Sequence, residues 1–424
     1  MSEPLSTQPY KGVRDFYPED MAIQRYIFDV WSDTVESFGF ERYDASPLEP
    51  AQLYRAKGAE NEEMVNEQTY TFLDRGDREV TLRPEMTPTV ARMIAARRDT
   101  LTPPTRWYSI PNLFRYERRQ RGRLREHWQL NCDIFGVDSA AADIETIELI
   151  YQIFTVGFGA TPDMFEIHIN DRRTMQKAYE LLGITDPDTI TAITRVNDRK
   201  RKLDDTTYLS LLKEVVKDQS LAGEIKAMIE TSDPGEHTII TNLRDLGIEN
   251  VILDRSLARG FDYYTAVIFE VFDTAPENNR SLGGGGRYND LTKLFGGKMV
   301  PGVGFGMGDV TMRDFIETHD LLPAELTDSS IDVVVIPLET DQHAPALKLA
   351  QQLRAKGFRV TVDYSDRKRD KRFQAARESG ARYAVIFGPN EVHSGELTAQ
   401  NLKKADASIT ANSTVFAEQL KQKF

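Results

Sequence analysis

The chain has 424 residues, enough for about two to four domains, and its 40% hydrophobic and 28% charged residues are typical of a folded globular protein. One cysteine excludes an internal disulfide and a zinc site built from cysteines. The net charge of −13 argues mildly against a nucleic-acid binder.

The first residues and the apolar stretches of the chain do not match the usual targeting signals. No apolar stretch approaches the ~18–20 residues of a membrane helix. Residues 1–20 lack the apolar core of a signal peptide and are too acidic for a transit peptide. We therefore expect a cytoplasmic protein without a membrane segment.

The charge is distributed unevenly along the chain. Residues 115–125 (RYERRQRGRLR) contain six arginines and one acid, and residues 367–372 (RKRDKR) contain five bases and one acid. The simplest interpretation of each run is a solvated loop. A basic loop can also hold a nucleic-acid backbone, so both runs are candidate nucleic-acid contacts.

The first region of the chain mixes helix and strand patterns. Apolar residues at helical spacing predict a helix over residues 21–38, which Gly39 ends. Two strand hairpins are predicted next, at residues 69–73 with 79–82 and at residues 106–116 with 126–136. The arginine-rich run is the tip of the second hairpin.

The middle of the chain changes from helical to strand patterns. Residues 172–250 carry apolar residues at steps of three and four, which predicts an inserted helical domain. Strand character returns at 251–254 and 263–272. A glycine-rich stretch at 281–291 follows, and then a short strand that runs into a helix at 301–316.

The last hundred residues have a third character, and we place a domain boundary near residues 323–331. Strands and helices alternate beyond it, which predicts a small α/β domain with a mostly parallel sheet. The predicted strands are 332–338, 358–363 and 382–387, and the predicted helices are 344–355 and 370–379.

The second hairpin brings polar side chains together. Alternation places Arg115 and Glu117 on one face of a strand, and Gln129, Asn131 and Asp133 on one face of its partner. From the pattern alone, an ion pair of Arg115 with Asp133 or Glu117 is the simpler interpretation. The functional alternative is an arginine aimed at a phosphate.

Three other segments allow two interpretations each. Glu85, at the end of a strand, could bind a ligand ammonium or cap a helix beginning near Thr87. The tyrosines of residues 259–264 (RGFDYY) could pack or line a site. Glycines 283–286 with Arg287 could cradle phosphates, or they could form a closely packed backbone beneath a ligand.

Seven segments form an ordered set that covers nearly the whole chain. They are KGVRDFYPED at 11–20, GFERYDASPLEP at 39–50, FRYERRQRGRLREHWQLNCDIFG at 114–136, LARGFDYYTAVIFE at 257–270, SLGGGGRYNDL at 281–291, PGVGFGMGD at 301–309 and the region 331–424. This set resembles the histidyl-tRNA synthetase family of class II aminoacyl-tRNA synthetases, with motifs 1, 2 and 3, both histidine signatures and the anticodon-binding domain.

The resemblance implies a fold and partners. An α+β catalytic domain, with an antiparallel class II sheet flanked by helices, would comprise residues 1–171 and 251–325. A helical insertion would occupy 172–250 and an α/β anticodon-binding domain 331–424. The resemblance further implies a cytoplasmic homodimer that binds histidine, ATP with Mg²⁺ and tRNA(His), and whose own side chains hold no metal.

The resemblance also implies roles for single residues. Arg115 and Arg259 would be the catalytic pair on the α-phosphate, and Arg123 and Glu117 would join them in binding ATP. The implied histidine-binding residues are Glu85, Thr87, Gln129, Asp133, Tyr263 and Tyr264. The implied tRNA-binding residues are Arg118, Arg119, Gln120, Arg121, Arg367, Lys368 and Arg369.

Two positions depart from the family pattern. The family commonly has glutamate where this chain has Asp133. Motif 3 normally carries arginine in a Gly-x-x-Arg pattern, and that position is Thr311 here. Arg313 lies ~200° further round a helix and cannot simply replace it, so arginines of the motif 2 loop or Arg287 are candidates to compensate.

The departure at motif 3 keeps two alternatives open. One is a catalytically altered paralogue, such as the synthetase-like regulatory subunit of ATP phosphoribosyltransferase or a tRNA-sensing module. The other is a class II ligase for proline, threonine or glycine. The intact RGFDYY segment at 259–264 favours the histidine ligase over both, and the C-terminal region further argues against the paralogue.

Overall fold

The computed structural model describes residues 4–56, 68–117, 121–231, 237–258, 263–324, 326, 331–404 and 407–423. The chain divides into two compact units, Met1–Pro323 and Ala324–Phe424. Within the described residues, no helix combines the length and apolar character needed to cross a membrane.

The first unit contains a large and a small sheet with helices around them. Its strands are β1 (Glu41–Arg42), β2 (Leu48–Pro50), β3 (Tyr70–Leu73), β4 (Glu79–Leu82), β5 (Thr105–Ser109), β6 (Asn112–Phe114), β7 (Glu126–Phe135), β8 (Phe165–Asp171), β9 (Val251–Leu253), β10 (Val267–Asp273), β11 (Ser281–Arg287) and β12 (Gly302–Gly308). Its helices are α1 (Pro18–Ser37), α2 (Gln52–Arg55), α3 (Thr87–Arg97), α4 (Ala140–Gln152), α5 (Arg172–Leu181), α6 (Pro187–Asp198), α7 (Asp205–Val216), α8 (Gln219–Glu230), α9 (Thr238–Asp245) and α10 (Asp309–Thr318).

The large sheet has the strand order β1-β5-β7-β12-β11-β10-β8-β9, and β6 also pairs with β7. Every ladder from β5 to β8 is antiparallel, whereas the outermost pairs β1–β5 and β8–β9 are parallel. The predicted helix-flanked class II sheet is therefore confirmed, with the difference that it is mixed at both edges. The small sheet has the order β2-β4-β3.

The predicted long hairpin is present with a break in its first strand. Residues 106–116 divide into β5 and β6 around Pro111, because proline has no N–H to donate to a ladder. Both pieces pair antiparallel with β7. The Arg115 N–H donates to the Arg125 carbonyl at 2.9 Å, which continues the pairing beyond β6.

The two glycine-rich segments are the central strands β11 and β12. A Cβ on Gly285 would lie 1.9 Å from the Gly304 carbonyl oxygen, so the backbones pack too closely for side chains. This agrees with the close-packed alternative for residues 283–286, and not with a phosphate cradle. Arg287 is 2% exposed and donates to Asp143 at 2.8 Å, so it is a structural residue and does not compensate at motif 3.

Arg14 and Phe16, in the segment before α1, contact the start of α10 and strand β7. Arg14 donates to Asp309 at 2.6 Å, and Asp309 also accepts from the backbone N–H of Trp128 at 2.9 Å. Phe16 packs edge-on against the Trp128 ring, with 5.3 Å between centroids. The first signature therefore supports the strand that carries Gln129 and Asp133.

The predicted insertion has a core of its own, formed by α5, α6, α7 and α8. Its buried residues include Met175, Tyr179, Ile193, Tyr208, Leu212, Ala222, Ile225 and Ile229. The helix α9 lies inside the predicted range 172–250 but packs against α4 and β9 of the large-sheet body. The shared core therefore spans Arg172–Glu230.

The second unit is a five-stranded sheet with four helices in its described part. Its elements are β13 (Val333–Pro337), α11 (His343–Ala355), β14 (Val360–Val362), α12 (Arg369–Glu378), β15 (Tyr383–Phe387), α13 (Pro389–Ser394), β16 (Glu396–Asn401), β17 (Ile409–Asn412) and α14 (Phe416–Lys423). The strand order is β14-β13-β15-β16-β17.

The predicted strands of this unit are parallel, as expected, but the sheet is not mostly parallel. β13 pairs in parallel with β14 and β15, whereas β15–β16 and β16–β17 are antiparallel. The connections explain the change. Parallel strands need a crossover of a dozen or more residues, and only the eight residues 388–395 separate β15 from β16.

Candidate active site

A small polar pocket lies over the centre of the large sheet. Glycines 284, 304 and 306 of the central strands contribute to its lining. The lining also includes Glu85, Thr87, Arg115, Gln129, Asp133, Tyr263 and Tyr264. The fold therefore brings the whole predicted histidine-binding set into one pocket, together with Arg115.

One side of the pocket carries a buried carboxylate. Glu85, between β4 and α3, is 3% exposed. The Tyr263 hydroxyl donates to Glu85 Oε2 at 3.3 Å and lies 3.5 Å from Thr87 Oγ1. The Tyr54 hydroxyl lies 3.3 Å from the Glu85 carbonyl oxygen. These contacts fix the acid in a position where it can accept hydrogen bonds from a small cation.

A second carboxylate, Asp133, lies on β7 and is 4% exposed. The Tyr288 hydroxyl donates a hydrogen bond to it. Burial raises the pKa of Asp133 to about 7, although the hydrogen bond from Tyr288 lowers it. Burial beside Asp133 also raises the pKa of Tyr288 well above its ordinary value, so the phenol keeps its proton.

Sequence reasoning missed Tyr288. Its one signal was its place directly after the glycine-rich strand, in a segment where the sequence pointed only to the glycines and Arg287. It forms an aromatic group with Tyr263 and Tyr264, with ring centroids 5.8 and 6.4 Å away. Tyr264 packs over Gly286, where a Cβ would lie 2.8 Å from its ring, so it is part of the pocket wall.

Arg115 lies where the pocket meets a larger cleft, and it lines both. Its Nε donates to the Pro84 carbonyl at 2.9 Å. The nearby His127 is neutral, because burial and the charges of Arg115 and Arg14 lower its pKa to about 3. The guanidinium therefore provides positive charge at this junction without a charged histidine beside it.

The two ion pairs that the strand pattern favoured for Arg115 are not formed. Asp133 accepts from Tyr288 instead, and Glu117 pairs with Arg123 at 2.9 Å. The pattern could not distinguish these partners, because they come from segments that register and tertiary packing bring together. Arg115 lies at the pocket, as the functional alternative predicts.

The larger cleft is open to solvent. Arg115, Glu117 and Arg123, which are the described members of the predicted ATP set, line it. Residues of the helical insertion, including Asn197 and Arg201, line its far side. Among the residues that the structure describes, no group of three or more histidine, cysteine, aspartate or glutamate side chains could hold a metal ion.

Four predicted site residues, Arg118, Arg119, Gln120 and Arg259, lie outside the described residues. Arg172, the first residue of the insertion, donates to the carbonyls of Ala258 and Tyr264, each at 3.1 Å. These two residues lie on either side of the Arg259 segment. The side chain of Arg121 is 57% exposed and lies 4.0 Å from Asp314.

Two carboxylates bind Arg313, the arginine two positions beyond Thr311. Arg313 donates to Asp20 at 2.9 Å and to Glu317 at 2.8 Å. Thr311 lines the cleft, and its hydroxyl lies 3.3 Å from the Gly308 carbonyl and 3.4 Å from the Leu282 carbonyl. The threonine is therefore held by backbone and is too short to reach across the cleft.

The basic run of the second unit is not uniformly solvated. Arg367, Lys368 and Arg369 are exposed at the start of α12. Arg372 is 9% exposed and donates to the carbonyls of Arg367 and Pro337. The last arginine of the run thus links α12 to the sheet through hydrogen bonds. The first three bases of the run remain accessible to solvent.

A family model described as histidyl-tRNA synthetase matches residues 12–309, and a second, described as anticodon binding domain, matches residues 332–423. The chain belongs to the histidyl-tRNA synthetase family. The two matched ranges fall one in each compact unit of the structure.

Individual relatives match along almost the whole chain. A protein of Leptospira biflexa named histidine–tRNA ligase is 40% identical over 416 residues, which are 94% of each chain. One of the same name from Thermoplasma volcanium is 37% identical and covers 96% of each. The structure of histidyl-tRNA synthetase from Nostoc sp. PCC 7120 has a TM-score of 0.79, at 22% identity over 99% of this chain and 100% of that one.

These relatives bear on the alternatives that the motif 3 departure left open. Both sequence relatives carry the name of the ligase, so a regulatory paralogue is not favoured. The match of the first family model also favours histidine over proline, threonine or glycine as the family's amino acid. The structural likeness, at 22% identity, supports the fold alone.

Proposed function

We propose that this chain is a histidine–tRNA ligase, which activates histidine with ATP to histidyl-adenylate and transfers it to the 3′ end of tRNA(His). The observation that carries the proposal is the pocket that holds two buried carboxylates, Glu85 and Asp133, with Arg115 at its junction with the cleft. The family to which the chain belongs supports the same reaction.

The proposed histidine pose uses the two acids for different groups. Glu85, held by Tyr263, would accept from the α-ammonium, with Thr87 beside it. Asp133, held by Tyr288, would accept from the imidazole, with Gln129 on the same strand face and Tyr264 in the wall. An amino acid without a ring N–H would leave the buried Asp133 without a donor from the ligand, and such sites reject analogues by roughly 10⁴–10⁵.

The activation step needs no protein nucleophile. The histidine carboxylate attacks the α-phosphorus of ATP, and pyrophosphate leaves with the electron pair of the broken P–O bond. The enzyme has to align the reactants and stabilise charge on the phosphate oxygens. Arg115 would do so from the pocket side and Arg259 from the opposite side, with Mg²⁺ entering on the phosphates.

The remaining proposed contacts concern the nucleotide and tRNA. Arg123 and Glu117 would bind ATP in the cleft, and the loop residues Arg118, Arg119, Gln120 and Arg121 would meet the acceptor end. Arg367, Lys368 and Arg369 would hold the anticodon stem through its phosphates, which supplies affinity and position but little sequence information. We also propose that the enzyme is a cytoplasmic homodimer and that the insertion clamps the acceptor stem.

Amino-acid-dependent ATP–pyrophosphate exchange on the purified full chain tests the proposal. We expect exchange with histidine and none with proline or threonine. If none of the amino acids supports exchange, the result would contradict the ligase and favour the regulatory paralogue. Exchange with proline or threonine in place of histidine would move the chain to another class II specificity.

A further inference from the structure

Position 311 raises a question that the proposed function leaves open. The family pattern has an arginine there, and Thr311 is too short to deliver a positive charge into the cleft. Arg280, directly before β11, is half-buried and lines the same cleft. It comes from a different part of the chain and was not singled out from the sequence.

Arg280 and Thr311 meet at one point in space. A Cβ built on Gly122 would lie 3.1 Å from Arg280 Cγ and 3.2 Å from Thr311 Cγ2. The stem of Arg280 and the side chain of Thr311 therefore both lie against Gly122 of the arginine-rich loop, in the lining of the same cleft. A side chain longer than threonine at position 311 would compete with Arg280 for this space.

Charges of both signs line the cleft that contains Arg280, with acids such as Glu270 and Asp273 as well as arginines. Arg123, on the loop, and Arg115, at the junction, line the same cleft. Burial and the proximity of Arg123 lower the pKa of Arg280, whereas Glu117 raises it. Glu117 is already paired with Arg123. Like charges gathered in this way are stabilised by a ligand with several negative charges, and a guanidinium suits phosphate oxygens.

We propose that Arg280 contacts the triphosphate of ATP and takes the place of the missing arginine at position 311. This inference rests on the proposed ligase function and concerns one residue within it. The guanidinium then comes from the residue before β11, and not from the first turn of α10. The small Thr311 leaves space for the stem of Arg280.

The first test is Arg280→Gln in the full chain, since glutamine keeps much of the stem and removes the charge. In histidine-dependent pyrophosphate exchange, we expect the KM for ATP to rise about 10- to 100-fold, as for a lost charged hydrogen bond, with the KM for histidine unchanged. Arg78→Gln is the matched control, because Arg78 is 80% exposed in a distant turn. An unchanged KM for ATP in Arg280→Gln would overturn the inference.

The second test is a rescue. Thr311→Arg in the Arg280→Ala background should restore most of the lost ATP affinity, because alanine opens the space beside position 311. Thr311→Arg alone should impair ATP binding through overlap with Arg280. A double variant no better than Arg280→Ala would contradict the replacement. A wild-type chain without exchange would instead contradict the proposed function itself.

Discussion

The Tyr288 hydroxyl donates to the carboxylate of Asp133 at a point where both side chains are buried. The two residues are 155 positions apart, one on β7 and the other directly after β11. Burial holds the pKa of Asp133 at about 7, and the phenol is the one group that lowers it. The pair therefore sets the protonation state of the proposed imidazole acceptor near neutral pH.

Tyr288→Phe removes this donor and leaves the burial. The pKa of Asp133 should rise further, so less of the acid is ionised at pH 7, and the KM for histidine should increase by about tenfold. The profile of KM against pH should shift to higher pH in pyrophosphate exchange. Tyr364→Phe, in the exposed surface of the second unit, is the control and should change neither value.

Asp133→Asn should stabilise the protein while it weakens histidine binding. The folded pKa of about 7 lies above the ordinary value of 3.8, so the native state holds a proton that the unfolded state releases between these pH values. Stability from this group is therefore present at low pH and is lost as pH rises towards 7. Asparagine does not ionise, so the variant does not lose this stability as the pH rises. Its free energy of unfolding at pH 8 should exceed that of the wild type by about 1–3 kcal/mol. Urea unfolding of the wild type and of Asp133→Asn at pH 5 and pH 8 measures how the free energy of unfolding changes with pH. The same pH dependence in both proteins would contradict the raised pKa.

Gly304→Ala should damage both the sheet and the pocket. The new Cβ would lie 2.2 Å from Asp133 Oδ1 and 2.4 Å from the Cys132 carbonyl oxygen, so the strands have to separate. We expect a loss of about 1–3 kcal/mol in unfolding free energy and a higher KM for histidine. Gly223→Ala is the matched control, since its Cβ meets nothing within 4 Å in helix α8. It should be neutral or stabilising by up to about 1 kcal/mol.

Arg172→Ala should slow activation although Arg172 is outside the pocket. Arg172 donates to the carbonyls of Ala258 and Tyr264, which come before and after the Arg259 segment in the chain. We expect kcat for exchange to fall about tenfold, with a smaller change in KM, because misplaced groups cost alignment. The neighbouring Arg173→Ala removes an ion pair of a side chain that is 63% exposed, and it should leave kcat near wild type. Equal effects of the two variants would mean a general loss of helix stability instead.

Much of the molecule follows from local sequence patterns. Apolar spacing and turn residues, which act over a few positions, determine three parts of the fold. These are the helix Pro18–Ser37, the hairpin of β3 and β4, and the alternating strands and helices of the second unit. The pocket residues were found because each lies in a short segment whose composition is specific to the family. A carboxylate at a strand end or two adjacent tyrosines can be recognised without knowing what they touch.

The tertiary structure decided the partners of these side chains. Arg287 is buried on Asp143, Asp133 is bonded to Tyr288, and Arg280 lies beside Thr311. Each contact joins residues from different elements, and it depends on the register of central strands whose glycines leave no room for adjustment. A sequence fixes the chemistry that a residue can offer, but its partner depends on which distant backbone lies within ~3 Å of it, and only the packed sheet determines that.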